Sequence, residues 1–262
     1  MNREGVVVVI GLGEVGGPLS RVLSREYSVR GRDIDEVPID GPISTLHMCF
    51  PYQAGAFVES AVGYIEQYSP QLVIVNSTVL PGTSRRVHER SGVPVAFSPV
   101  RGKHVRMESD LLRYRKFVSG SSPEVAEQAA QHFERAGLRT ARMGTLEALE
   151  VAKLLETTYF GLLIAWAQEV ERFCHKVEAD YDEVMRFVEE IDQLPPVIYQ
   201  PGYIGGHCVI PNCRLLSKLK SSGFLDIIND SNNLKAKELI SMDQSLDERI
   251  SPRPVRITRD TP

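Results

Sequence analysis

No run of lysine or arginine stands out in this sequence, and its formal net charge is only −4. A chain without a basic patch is a poor partner for nucleic acid or an anionic membrane, so neither is expected. No apolar stretch is long enough to cross a bilayer. The opening Met1-Asn-Arg-Glu-Gly5 runs straight into a strand-like segment, so no signal peptide is read there. Cysteine is scarce: Cys49, Cys174, Cys208 and Cys213. Their spacing gives neither a zinc pattern nor a disulfide framework. No metal is expected, and a reducing cytoplasm fits. No segment repeats. What remains is an ordinary globular composition, 24% charged and 42% hydrophobic over 262 residues. That is enough for one large domain or two smaller ones.

Val6-Val-Val-Val-Ile10 is a continuous β-branched run, as carried by a strand buried on both faces. It leads into Gly11-Leu12-Gly13-Glu14-Val15-Gly16 and then a helical stretch, Leu19 to Tyr27. Strand, G-x-G-x-x-G and helix in that order are the dinucleotide fingerprint. The first glycine makes the turn, the second lets backbone approach a pyrophosphate, and the third lets helix pack on strand. A second strand, Tyr27 to Gly31, is followed by Arg32-Asp33-Ile-Asp35. Asp33 stands near the expected place of the ribose-binding acid, and its charge repels a 2′-phosphate. The cofactor is therefore read as NAD rather than NADP. Asp35 is the alternative acid, and Arg32 is the one feature that argues the other way.

Only a short stretch separates Asp35 from the next strand, Ser44 to Phe50. A helical crossover needs at least ~10–12 residues, so one βα unit of a full sheet is missing. A helix over Ala56 to Gln67 and a strand over Gln71 to Asn76 follow, ending in Ser77-Thr78-Val-Leu-Pro81-Gly82-Thr83. Hydroxyls at the carboxyl end of a parallel strand face the ligand crevice of an open α/β sheet, although Ser and Thr also cap helices. Further alternation reads as helix Ser84 to Ser91, strand Pro94 to Pro99, a basic loop Val100 to Arg106, and helix Pro123 to Ala136 between strands Arg115–Gly120 and Leu138–Met143.

From Thr145 to about Lys176 runs one long helical pattern, apolar over much of its circumference and so expected to be buried between domains or subunits. Lys153 lies in it, with Thr157 four residues on, on the same face. Such a lysine either snorkels to water or, desolvated, becomes a usable base or hydrogen-bond donor. A helix over Tyr181 to Ile191 precedes Pro201-Gly-Tyr-Ile-Gly205-Gly206-His207-Cys208. The glycines permit a turn that aims N–H groups at one point. Cys208 there is either a nucleophile activated by a helix N-terminus or nearby cation, or a small buried cysteine. Helices Arg214–Leu219 and Leu225–Leu239 follow, with Asn229, Asn232 and Asn233 clustered, and Ser251 to Pro262 reads as a loose tail. The expected organisation is an α/β chain. It has a shortened Rossmann-like NAD-binding domain over 1–145, an all-helical central domain with the cysteine loop over 146–245, and a flexible tail over 246–262.

The glycine turn, Asn76 to Thr83, the helix bearing Lys153 and Glu169, and Gly-Gly-His-Cys208 occur in the order of the UDP-glucose/GDP-mannose dehydrogenase family, which the chain resembles over roughly 4–240. That resemblance implies dimerisation through the long helix and oxidation of a primary alcohol to a carboxylate with two NAD. It implies Cys208 as the covalent nucleophile, Lys153 as the oxyanion donor, and Thr78 as a residue positioning water and cofactor. It also places Thr157 where the family has asparagine, Asn212 where it has aspartate, and Val100 where it has glutamate. The family's second Rossmann-like unit does not follow in these residues, which suggests a trimmed relative acting on a small-molecule alcohol or aldehyde. A second reading is a two-electron hydroxyacid-type dehydrogenase using Lys153, with Cys208 structural. A third, supported by the three departures, is a catalytically silent NAD-binding homologue.

Overall fold

The computed structural model describes residues 5–33, 39, 41–102, 104–190, 197–206, 208–241 and 254–256. The chain divides into two compact units, 1–153 and 154–262.

The first unit is built on one sheet. Strands β1 (Val6–Ile10), β2 (Val29–Arg32), β3 (Ile43–Met48), β4 (Leu72–Val75), β5 (Val95–Phe97), β6 (Lys116–Gly120) and β7 (Thr140–Arg142) lie in the order β2-β1-β3-β4-β5-β6-β7. Pairing is parallel from β2 through β5, antiparallel between β5 and β6, and parallel again between β6 and β7. Side chains on a strand alternate between faces, so the β1 run divides. Val7 and Val9 join the core under α1 (Gly16–Leu23), α4 (Met107–Arg113) and α5 (Pro123–Arg135). Val8 and Ile10 join the core under α2 (Phe57–Tyr68), α3 (Thr83–Ser91) and the start of α6 (Leu146–Lys176).

Ten residues, 33–42, return the chain from the end of β2 to the start of β3. Extended, they reach ~33–36 Å, ample for a strand of about 20 Å or less. No helix occurs among the described residues of that return. Among the described residues the third strand of a full Rossmann half is thus absent, and β3 pairs directly with β1. The direction in which strands are added reverses between β1 and β3, and ligands of open α/β sheets bind outside the carboxyl ends at that point. Gly11 leaves β1 there and Cys49 leaves β3.

The second unit comprises the remainder of α6, then α7 (Tyr181–Glu189), α8 (Val209–Leu219) and α9 (Gly223–Ser241). Its core includes Leu154, Ile164, Ile204, Cys213, Leu216 and Ile228. The basic loop before Arg106 leads into α4, whose Glu108 pairs with Arg21 and Arg25. Two expectations are corrected by the structure. The helix expected from Arg214 starts five residues earlier, at Val209. Within the expected loose tail, Pro254–Arg256 forms β9 and pairs antiparallel with β8 (Val197–Tyr199). A three-residue strand leaves no periodicity to read.

Candidate active site

In the first unit the glycine turn crosses the carboxyl end of β1. A Cβ on Gly16 would lie 1.8 Å from the Gly11 carbonyl oxygen and 3.0 Å from Cys49 Cβ, whereas one on Gly13 meets nothing within 4 Å. The turn is closed where helix packs on strand and open at Gly13. No acidic residue stands in the first turn of α1; of its opening N–H groups, that of Gly17 is donated to the Gly13 carbonyl at 3.1 Å, and Pro18 has none. Leu12, Gly13 and Glu14 are exposed, Val15 is half-buried at the N-cap, and Asp33 is exposed just beyond β2. Asp35 lies outside the described residues. Arg32 turns the other way: its guanidinium donates to Gln67 Oε1 at 2.6 Å and Tyr68 Oη at 2.7 Å, over the Tyr64 ring.

The loop after β4 is tied at both ends. Ser77 Oγ donates to the Phe50 carbonyl at 2.6 Å, and the N–H groups of Gly82 and Ser84 donate to the Glu150 carboxylate at 2.7 and 2.9 Å. Thr78 is half-buried between those ties. Asn76 Nδ2 lies 3.1 Å from His47 Nδ1 and donates to the Ile74 carbonyl. Its buried Oδ1 has no hydrogen-bond partner among the described residues. Lys153 is half-buried on α6, three residues beyond Glu150.

In the second unit the cysteine loop is held from two helices. Gln168 of α6 donates to the Gly202 carbonyl at 2.7 Å. Asn232 of α9 takes both backbone groups of Ile204, accepting its N–H at 2.7 Å and donating to its carbonyl at 3.1 Å. Gly206 sits at φ +82°, a conformation open chiefly to glycine. His207 lies outside the described residues. Cys208 is exposed at the N-cap of α8, whose first turn holds no acidic residue. Asn212, one turn on, is buried and donates from Nδ2 to Thr157 Oγ1 at 2.7 Å, while Thr157 donates to the Leu154 carbonyl at 3.0 Å. Gln168 and Glu150 were not singled out from the sequence. Asn232 was visible only as one of three clustered asparagines, because each acts through a fold-dependent backbone contact.

Residues 147–232 match the model of the UDP-glucose/GDP-mannose dehydrogenase family, central domain. Over those residues the chain is similar to that domain. It is 25% identical over 271 residues to the UDP-N-acetyl-D-mannosamine dehydrogenase of Campylobacter jejuni, covering 80% of this chain and 66% of that protein. The chain therefore spans just under two thirds of that relative's length. A UDP-D-ManNAc dehydrogenase from Pyrococcus horikoshii superposes with a TM-score of 0.77 at 20% identity, over 91% of this chain and 72% of that one. A 3-hydroxyisobutyrate dehydrogenase from Mycobacterium tuberculosis superposes with a TM-score of 0.66 at 15% identity, over 90% and 94%. At these identities the two structures show the fold alone. Of the chain's three departures from the UDP-glucose/GDP-mannose dehydrogenase pattern, Thr157 and Asn212 prove to be one hydrogen-bonded pair. Val100 is buried in the apolar core under α4 and α5.

Proposed function

We propose that this chain is an NAD-dependent dehydrogenase. It would oxidise a primary alcohol or aldehyde, on a sugar nucleotide or a smaller molecule, towards a carboxylate through a covalent intermediate on Cys208. The observation that carries the reading is the exposed Cys208 at the N-cap of α8, ending a loop fixed by Gln168 and Asn232. The UDP-N-acetylmannosamine dehydrogenase name of the curated relative supports the substrate class.

In this reading Gly11 to Gly16 bind a dinucleotide, with Leu12, Glu14 and Val15 lending backbone around Gly13 and Asp33 binding a ribose hydroxyl. Arg32, engaged with Gln67 and Tyr68, is not directed at a 2′-phosphate, which favours NAD over NADP. Two NAD, bound in turn, would supply the hydride acceptors for the two oxidations, alcohol to aldehyde and thiohemiacetal to thioester. The Cys208 thiolate, favoured by the helix N-terminus, adds to an aldehyde carbon and forms a C–S bond. Lys153 donates to the oxygen that gains charge, and a single such donor contributes ~2.7–4 kcal/mol. Thr78 positions water. Water addition to the thioester releases the carboxylate as the C–S bond breaks and the thiol leaves. The Thr157–Asn212 pair, neutral and buried, fixes the first turn of α8 against α6 and carries no proton.

Iodoacetamide alkylation, read at each cysteine by mass spectrometry, tests the thiol. Cys208 is expected to react at least tenfold faster than Cys174 and Cys213, to stay reactive below about pH 7.5, and to slow when NAD is added. A Cys208 as inert as Cys174 removes the covalent route. The two-electron reading, which the neutral Thr157–Asn212 pair favours, would then lead. It yields one NADH per substrate rather than two across a panel of UDP-linked N-acetylhexosamines and simple hydroxyacids.

The same reading includes a homodimer formed through α6. Leu155, Tyr159, Trp166, Phe173 and Val177 recur at intervals of four and seven residues and are 50–71% exposed, a seam of the kind that pairs helices. Sedimentation of the wild-type chain is expected to give a dimer at micromolar concentration, and Trp166→Glu a monomer.

A further inference from the structure

Glu150 is fully buried, 0% exposed, on the second turn of α6. Its two oxygens accept from backbone: Oε2 from the Gly82 N–H at 2.7 Å and Oε1 from the Ser84 N–H at 2.9 Å. Gly82 is the N-cap of α3 and has no side chain to cap with. The opening N–H groups of that helix, unsatisfied by the helix itself, are served by a carboxylate from another element, at the end of the dipole that favours an anion. The neighbouring Glu147–Arg85 ion pair, 2.5 and 3.0 Å, already fastens α3 to α6 at the surface. Attachment of the two helices therefore does not require a second, buried carboxylate, whose desolvation raises its pKa against the pull of the two N–H donors.

What Glu150 adds is register at one point. The loop that begins at Ser77, fixed to the Phe50 carbonyl, ends at the two N–H groups Glu150 holds, with Thr78 inside it. Lys153 follows Glu150 by three residues, one turn on along the same face of α6. We propose that Glu150 is a positioning residue: its carboxylate sets the Thr78–Thr83 loop and the Lys153 turn of α6 in one fixed arrangement. The proposal rests on Lys153 and Thr78 acting as described under the function above.

The test compares wild type with Glu150→Gln, which keeps the shape but sets an amide NH2 against one of the two donors, and with Glu150→Asp, which keeps charge and shortens reach. The primary readout is the NMR resonance of Lys153 after reductive 13C-methylation, alongside hydrogen exchange of the Gly82 and Ser84 amides. The third readout is steady-state turnover on the UDP-linked panel. Glu150→Gln is expected to lose at least tenfold protection at both amides and to shift the Lys153 resonance. It is expected to lower kcat at least tenfold with KM within twofold, since a displacement of about 1 Å can cost 10²-fold. Glu150→Asp is expected to fall between, and carries the test if the glutamine variant does not fold. Lost amide protection with an unmoved Lys153 resonance overturns the proposal and leaves Glu150 a helix cap. A shifted resonance in a protein that turns over nothing upholds the clamp and counts against the dehydrogenase reading instead.

Discussion

Cys208→Ser is expected to abolish carboxylate formation, a fall of about a thousandfold or more, as loss of a covalent nucleophile does in enzymes that act through one. The variant is expected to keep its fold, because Cys208 is exposed and lies outside the apolar core of the second unit. NADH binding should change by less than twofold, since the glycine turn belongs to the first unit. The aldehyde stage separates the readings. With a covalent route, Cys208→Ser still forms some aldehyde from the alcohol, which aldehyde-trapping reagents detect, while the second NADH disappears. A two-electron enzyme loses nothing on the same substitution. Full carboxylate yield from Cys208→Ser would sink the covalent proposal outright.

Much of the sheet was legible because its central strands β1, β3, β4 and β5 obey one rule, burial on both faces. Val6–Ile10 and Leu72–Val75 are apolar without interruption and could be little else. The deleted βα unit was legible from length alone, since the stretch between Asp35 and Ser44 is too short for a helical crossover. The start of α8 was not legible, because Pro211 and the preceding glycines read as loop. Yet proline is tolerated in a first helical turn, where its missing N–H has no partner to lose. That misplaced boundary mattered, since it hid the N-cap position of Cys208.

The pairing of Thr157 with Asn212 was also invisible. Two positions 55 residues apart give no sign in one sequence that they touch. Read separately, each departure suggested a site losing its chemistry. Read as a pair, they keep a buried polar contact satisfied, as buried polar groups must be. Two uncoordinated losses would leave an unpaired buried group costing ~1–3 kcal/mol. The pair therefore removes one argument for a decayed site, while still providing no carboxylate beside the thiol.

Lys116→Met is expected to stabilise the protein, most strongly near pH 6. Lys116 begins β6, 4% exposed, with its ammonium donating to the Ser98 carbonyl at 2.8 Å and lying 4.7 Å from the Phe133 ring centre. Burial is the main cause that lowers its pKa to about 7; Cys49 opposes the shift, and Lys153 and Arg101 add to it. Cys49 offers no anion in return, because burial pushes its thiol up to about 12. Against an unfolded value near 10.5, a folded value of about 7 corresponds to ~5 kcal/mol of lost stability where both states are protonated. Removing the ammonium also strips a donor from the Ser98 carbonyl, offsetting ~1–3 kcal/mol, so a net gain of about 2–4 kcal/mol should remain. The sign follows from proton counts. Below pH 7 both folded and unfolded chains hold the proton, and the full penalty applies. Between pH 7 and about 10.5 the unfolded chain holds more protons than the folded one, so wild-type stability rises with pH. The advantage of Lys116→Met should therefore shrink across that window, and urea unfolding at pH 6 and pH 9 measures it. Equal stability of the two proteins at both values would mean that the amine is solvated or paired in the native state.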